Sequence, residues 1–352
     1  MVVDGLTIHL PNWEDRGWIG VINVPLLKDA VARLRARSAP MFLQWVKGHS
    51  GVPGNEGADI LAKLGADAPA GDAMPPPNSA FLASGCKLSS TTQRLAYKAI
   101  KLWKNTPSRR QTEILTVRIS ATLHEDWNSS LKPGEIWRAL RRDDTRRSLR
   151  DFWWKALHGA LKIGTYWDNI PGYEQRTSCS HCAVPESLEH IWNECDAPGA
   201  LVIWRNVLDL LRRAGVTIPQ LHFAALLAAP AISIKCADGK AIPGRTRLLR
   251  IVLTESCHLI WKLRCERVIG REGDPERYHS LREIRRRWLH TINRRLHMDQ
   301  ALSSPALRRR ALNKKLVCAT WQGLLEDEHA LPNDWTSYPG VLVGKPVFWD
   351  HG

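Results

Sequence analysis

The sequence predicts an α/β segment with an incomplete sheet, followed by a mostly α-helical region that carries a Cys/His knuckle. Three observations predict it. Residues 41–46 read as a single apolar strand running into a glycine loop and a helix; a proline-rich break follows near Pro75-Pro76-Pro77; and beyond it apolar residues recur at helical spacing.

In chain order, Asn12-Trp13-Glu14-Asp15-Arg16-Gly17-Trp18 comes first, and Pro25-Leu-Leu-Lys28 then leads into an amphipathic run marked by Val31 and Leu34. The chain turns at Pro40. From Met41 to Val46 the one polar residue is Gln44, the pattern of a strand buried on both faces. The loop Gly48-His49-Ser50-Gly51 follows, and Ala58, Leu61, Ala62 and Gly65 then fall at helical spacing. Asn55 is the candidate cap, with Glu56 and Asp59 in the first turns, where the positive end of a helix favours anions. Taken singly, these residues describe a surface turn with solvated acids.

Taken as one ordered string, Trp45-Val-Lys-Gly-His49-Ser-Gly51-Val-Pro-Gly54-Asn-Glu56-Gly-Ala-Asp59-Ile-Leu61-Ala62 resembles the closing motif of a type 1 ribonuclease H. The resemblance covers residues 1 to about 68. It implies two-metal hydrolysis, endonucleolytic, of the RNA strand in RNA–DNA hybrids, dependent on Mg²⁺. By the same resemblance Asp59 is the last of four Mg²⁺-binding carboxylates, His49 is a mobile-loop proton carrier and Glu56 is an acid of the same turn. Asn12, Trp13, Arg16 and Trp18 match the part that handles nucleic acid. The first three carboxylates and the earlier strands have no counterpart here, since aligning Met1-Val-Val-Asp4-Gly5 with the family places the third carboxylate before Met1. Asp4 is displaced from that position by about one helical turn, roughly 5 Å, too far for a metal site. Glu14 and Asp15 lie in a segment that is usually basic. The expectation is therefore a truncated domain, inactive as the chain stands.

The chain has 352 residues, enough for two or three domains. With 50 Lys plus Arg against 35 Asp plus Glu, its net charge is +15, which favours polyanionic partners such as nucleic acid. Tryptophan is over-represented, 16 against 5 Tyr and 5 Phe, which suits helical cores and some stacking on bases. No basic-then-apolar leader is visible, and the longest uncharged apolar stretch, Leu221 to Ile234, is broken by Pro230 and reads as buried core, so no membrane partner is expected. The 8 Cys show no disulfide framework, consistent with an intracellular protein, nuclear or cytoplasmic and not secreted.

Residues 69–88 read as a proline-stiffened linker with few stabilising contacts. Residues 89–204 read as a helical region, with Leu95, Ile100 and Trp103, then Trp137, Leu140 and Leu149, then Phe152 to Leu161 at helical spacing. This region contains Cys179-Ser-His-Cys182-Ala-Val-Pro-Glu186-Ser-Leu188-Glu-His190-Ile-Trp192-Asn-Glu-Cys195. Cys-x2-Cys lets a tight turn offer two thiolates, and a following helix can return His190 and Cys195 to close a tetrahedron around Zn²⁺. Four protein ligands make such an ion structural; reduced, unliganded cysteines are the plain alternative, and His181 is read as a spare facing solvent. With Phe152-Trp-Trp-Lys-Ala-Leu157, this stretch resembles the zinc-binding region downstream of reverse transcriptases in non-LTR retroelements.

Residues 205–331 read as a basic helical region. Leu248 to Val268 is a candidate buried helix, and Leu281, Ile284, Trp288, Ile292 and Leu296 form an apolar stripe whose flanks carry Arg282, Arg285, Arg286, Arg287, Arg294 and Arg295. Asp143 and Asp144 sit among arginines as charge compensation, and residues 332–352 read as an irregular tail. The combined expectation is a retroelement-derived ribonuclease H-like protein, with a non-catalytic nucleic-acid-binding protein holding a structural zinc as the competing class.

Overall fold

A computed structural model describes residues 4–42, 44–48, 50–68, 76–104, 109–142 and 144–344. The chain divides into two compact units, Met1–Pro107 and Ser108–Gly352. No helix among the described residues is long and apolar enough to cross a membrane.

In the first unit a π turn, Gly5–His9, continues into α1, Leu10–Asp15; α2 spans Val24–Arg35, α3 Pro53–Asp67 and α4 Gln93–Lys104. Proline opens α1, α2 and α3 because its fixed φ suits the first helical turn, where its missing N–H costs nothing. The core is small: Trp18, Val31, Ala32 and Leu95 are its buried apolar side chains. Arg35 ties the pieces together, donating to Glu14 at 2.7 and 3.0 Å and to the Phe81 carbonyl at 3.1 Å. The Lys87 N–H donates to the Asp15 carbonyl at 2.7 Å. Residues 79–87 therefore pack on this unit, while 69–75 of the segment read as a linker lie outside the described residues.

Among the described residues of 41–46 the expected strand does not form. Among the described residues there is no sheet; the pairings outside helices are three isolated bridges, Ser178 with Pro185, Lys235 with Ala241 and Leu325 with Val343. Phe42 is 92% exposed and Trp45 66%. A strand needs neighbours to accept and donate its backbone hydrogen bonds, and none of the described residues supplies one to 41–46. The α/β expectation is corrected to a mostly helical chain. The cap of α3 is corrected too: the helix begins at Pro53 with Val52 as its cap, so Asn55 lies inside it.

The second unit is built around α10, Pro243–Cys265, which is largely buried against α7 (Arg147–Leu157), α8 (Ala200–Arg213), α9 (Phe223–Ala228), α11 (Leu281–Leu302) and α12 (Lys314–Trp321), while α5 (Arg110–Trp127) packs on α9 and α7, and α6 (Pro133–Ala139) on α5. Ile284, Trp288, Ile292 and Leu296 of the predicted stripe are fully buried, whereas Leu281, at the helix start, is exposed. α10 and α12 approach so closely that a Cβ on Gly244 would lie 2.5 Å from the Ala319 carbonyl, which excludes any larger residue there. The core extends past residue 332 through Trp335, Val341 and Val343. Charge is buried beside it: Arg247 donates to Asp299 at 2.5 and 2.8 Å and to Asp144 at 2.8 Å, and the Trp321 indole N–H donates to Asp299 at 2.9 Å. Asp144 is thus charge compensation for Arg247; Asp143 lies outside the described residues.

Candidate nucleic-acid surface and metal centre

The first unit presents its motif residues on α1, α3 and the turns that follow α1. The carboxylate of Glu56 accepts the Gly51 N–H at 3.2 Å, closing the loop onto the first turn of α3. Asp59 lies almost one turn further and is exposed. His49 lies outside the described residues. Among the described residues, no group of three or more metal-binding side chains includes Asp59. Glu14 and Asp15 are engaged elsewhere, Glu14 with Arg35 and Asp15 with Lys87 at 3.7 Å. Two Mg²⁺ ions need several carboxylates converging on one point, so the described donor set does not fit them.

Around α1, Gly17 and Trp18 both adopt left-handed backbone, φ 61° each, folding the chain back so that Trp18 packs 5.7 Å from Trp13. Trp18 is buried and supports the turn; Trp13 and Arg16 line an open cleft of about 550 Å³ with Lys98 and Leu27. Asn12, which is not among the residues lining this cleft, is exposed on α1, and its carbonyl accepts the Arg16 N–H at 3.1 Å. This cleft can offer cations and an aromatic edge to a phosphate backbone.

In the second unit the structure brings Cys179, Cys182, His190 and Cys195 together, with one ligand atom of each within 4.8 Å of all the others. A tight turn presents the first two: the Cys179 N–H donates to the Val184 carbonyl at 2.8 Å, and Ala183 takes a left-handed φ of 56° to close it. A π turn, His190–Glu194, delivers the other two, with the Cys195 N–H donating to the His190 carbonyl at 2.8 Å. The sulfur of Cys195 stands 3.8 Å from Cys179 and 3.9 Å from Cys182. Two sulfurs at a Zn–S length of about 2.3 Å in a tetrahedron are about 3.8 Å apart. The buried Nε2 of His190 has no hydrogen-bond partner, a cost that a metal bond removes. The donor set and its spacing fit zinc.

The hydrogen bond between Cys195 and Cys179 lowers the Cys179 thiol and raises that of Cys195. Thiolates are the form that binds metal. The cation adjacent to the site is Arg267, whose guanidinium donates to the Cys195 sulfur at 3.7 Å. No local spacing could have found it, since 72 residues separate the pair. His181 is exposed beside Tyr278, outside the cluster.

The surrounding shell fixes the knuckle to α10. Glu186 and Arg264, both buried, form a bidentate ion pair, one arm of which is 2.8 Å. Gly164 is required next to it, because its φ is +53° and a Cβ would meet the Glu186 carbonyl at 2.4 Å. The Trp192 indole donates to the Cys257 carbonyl at 3.2 Å, and Trp204 donates to the Trp192 carbonyl at 2.7 Å.

Residues 1–67 match the ribonuclease H family. The ribonuclease H of Alcanivorax borkumensis is 46% identical over 69 residues, which cover 19% of this chain and 46% of that protein. That of Bordetella avium is 44% identical over 72 residues, covering 18% and 44% respectively. Ribonuclease HI of Pseudomonas aeruginosa is 42% identical over 72 residues, covering 18% and 45%. Residues 1–67 thus carry ribonuclease H domain sequence, and the chain spans less than half the length of these curated relatives. No solved structure matches the chain.

Proposed function

We propose that this is a retroelement-derived protein whose first unit recognises RNA–DNA hybrids without cleaving them, and whose second unit is held together by a structural zinc. The observation that carries the first part is Asp59 on α3, in a segment that matches ribonuclease H, where among the described residues no group of three or more metal-binding side chains includes it. The inherited chemistry is Mg²⁺-dependent hydrolysis of the RNA strand; Asp59, with His49 and Glu56 of the same sequence motif, would be its remnant. Arg16, Trp13 and Asn12 would grip the backbone, with Trp18 holding their turn in shape.

Cys179, Cys182, His190 and Cys195 would hold one Zn²⁺ with no position left for water, so the ion would organise the knuckle and do no chemistry. A retroelement ancestry accounts for ribonuclease H sequence and a Cys/His knuckle in one chain. The test is incubation of the full chain with a labelled RNA–DNA hybrid and Mg²⁺. We expect a retarded complex and no metal-dependent product. Cleavage abolished by Asp59→Asn would overturn the non-catalytic reading, and failure to retain the hybrid at low salt would overturn the recognition.

A further inference from the structure

The second unit has a cleft that the zinc and the ribonuclease H motif leave unused. It is an open hollow of about 450 Å³ between α7, the segment after it, and the C-terminal half of α10, lined by Lys155, Lys162, Trp167, Arg176, His258 and Trp261. Its aromatic floor is pre-arranged: Phe152 lies 5.0 Å from the His258 ring and 6.1 Å from Trp261. The Trp167 indole is anchored by donating to the Lys162 carbonyl at 3.0 Å.

The cations at this cleft are held by aromatic rings. Arg176 lies 5.2 Å over Trp167 and 4.6 Å over Tyr173, and Lys162 lies 5.5 Å over Tyr166. Neither makes an ion pair among the described residues, whereas Lys155 is paired with Asp151 at 2.8 Å. The positive field continues along α10 and α11. Burial, then Arg146, Arg294 and Arg287, pull Lys262 below its ordinary range. Burial, then Lys262, Arg146 and Arg294, hold His258 down at about 4, so its ring is neutral at pH 7 and its buried Nδ1 has no partner. A cleft with unpaired cations at its rim, aromatic faces on its floor and a neutral imidazole in its wall asks for a ligand with phosphates outside and flat, hydrogen-bonding rings inside.

We propose that this cleft binds single-stranded nucleic acid, with bases stacked on Trp167 and Trp261 and phosphates on Lys162 and Arg176. A duplex keeps its bases stacked within the helix and cannot present them to a recessed floor, whereas an unpaired strand can. An acidic peptide would satisfy the cations but not the rings. Every residue involved belongs to the second unit, so the inference does not depend on hybrid recognition by the first.

The test uses the full, zinc-loaded chain and fluorescein-labelled dT12, followed by anisotropy across a salt series. Lys162→Glu with Arg176→Glu should weaken binding about tenfold or more and lower the salt slope by about 1.4, the value for two lost single-strand phosphate contacts. Trp167→Leu, which leaves charge unchanged, should weaken it about fivefold or more by removing one stacking platform. Reversal of the exposed pair Arg309 and Arg310 to Glu, equal in charge, should change affinity less than twofold. Zinc content and circular dichroism identify variants that misfold; should the double reversal do so, Lys162→Ala and Trp167→Leu still decide the matter. Equal weakening by both charge reversals, no effect of Trp167→Leu, or displacement by poly-glutamate as readily as by unlabelled dT12 would overturn the proposal.

Discussion

The two units differ in a way that separates sequence identity from packing. The first carries ribonuclease H sequence, yet α3, the helix that bears Asp59, buries no residue: Ile60, Leu61 and Leu64 are each more than 60% exposed. The second packs a continuous core from Leu115 to Val343, with Trp153, Trp192, Trp288 and Trp321 fully buried. A family match can therefore fall on a helix that buries none of its apolar side chains among the described residues. The larger buried core belongs to the second unit, so substitutions there should cost more stability than substitutions in the first.

The largest effect should come from the knuckle. Purified protein should hold about one zinc per chain, lost on Cys182→Ser. Structural zinc in small fingers is bound with apparent free energies of about 10–16 kcal/mol at neutral pH, so even a fraction of that withdrawn from the second unit is large. Losing about 3 kcal/mol lowers Tm by roughly 6–12 °C for a unit of this size. The first unit, with none of the ligands, should keep its circular dichroism signature. Absence of zinc from protein purified without chelator, or free reaction of all three thiols in a folded chain, would remove the metal from the account.

The contrast in burial predicts a second pair of outcomes. Trp288 is fully buried, its indole donating to Ser256 at 3.0 Å, so Trp288→Ala should cost about 3–5 kcal/mol by opening a cavity and orphaning that hydroxyl. Leu61 is 70% exposed, and Leu61→Ala should fall within about 0.5 kcal/mol. Chemical denaturation of both variants measures this directly. A large loss at Leu61 would mean that α3 is covered in solution.

How much of this was legible in the sequence follows the same divide. Periodicity located the buried helix at 248–268 and the stripe from Ile284 to Leu296, because a helix that meets the core on one face writes its apolar residues every three or four positions. Cys-x2-Cys located the knuckle because a tight turn enforces its own spacing. The strand at 41–46 was misread, since an apolar run states a preference and only neighbouring strands can satisfy it. Arg267 beside Cys195 and the pairing of Arg247 with Asp299 and Asp144 were invisible for a different reason: they are contacts between distant segments, and nothing local encodes them. Trp18, matched to a nucleic-acid-handling role, is buried because two left-handed residues turn it inward, a feature that its neighbour Gly17 hints at but does not require.

The smallest effect concerns charge, and it asks whether the second unit owes its stability to ion pairs as well as to its core. Glu266 receives Arg287 at 2.5 and 2.6 Å and His279 at 3.1 Å, and the hydrogen bonds from Arg287 hold its carboxyl down at about 2 against an ordinary 4.5. A carboxyl whose folded value is depressed contributes stability that is complete above about 4.5 and disappears as the pH falls through about 2. Its side chain is 42% exposed, so water screens the pair and the contribution at pH 7 should be under about 1 kcal/mol. Glu266→Gln should therefore lower stability slightly at pH 7, and the gap between variant and parent should narrow between pH 4.5 and pH 2. Denaturation midpoints of the two proteins across that range give the answer. A gap that stays constant with pH would assign the loss to hydrogen bonding and packing, and a gap of several kcal/mol would show that charge holds this unit together as much as its core does.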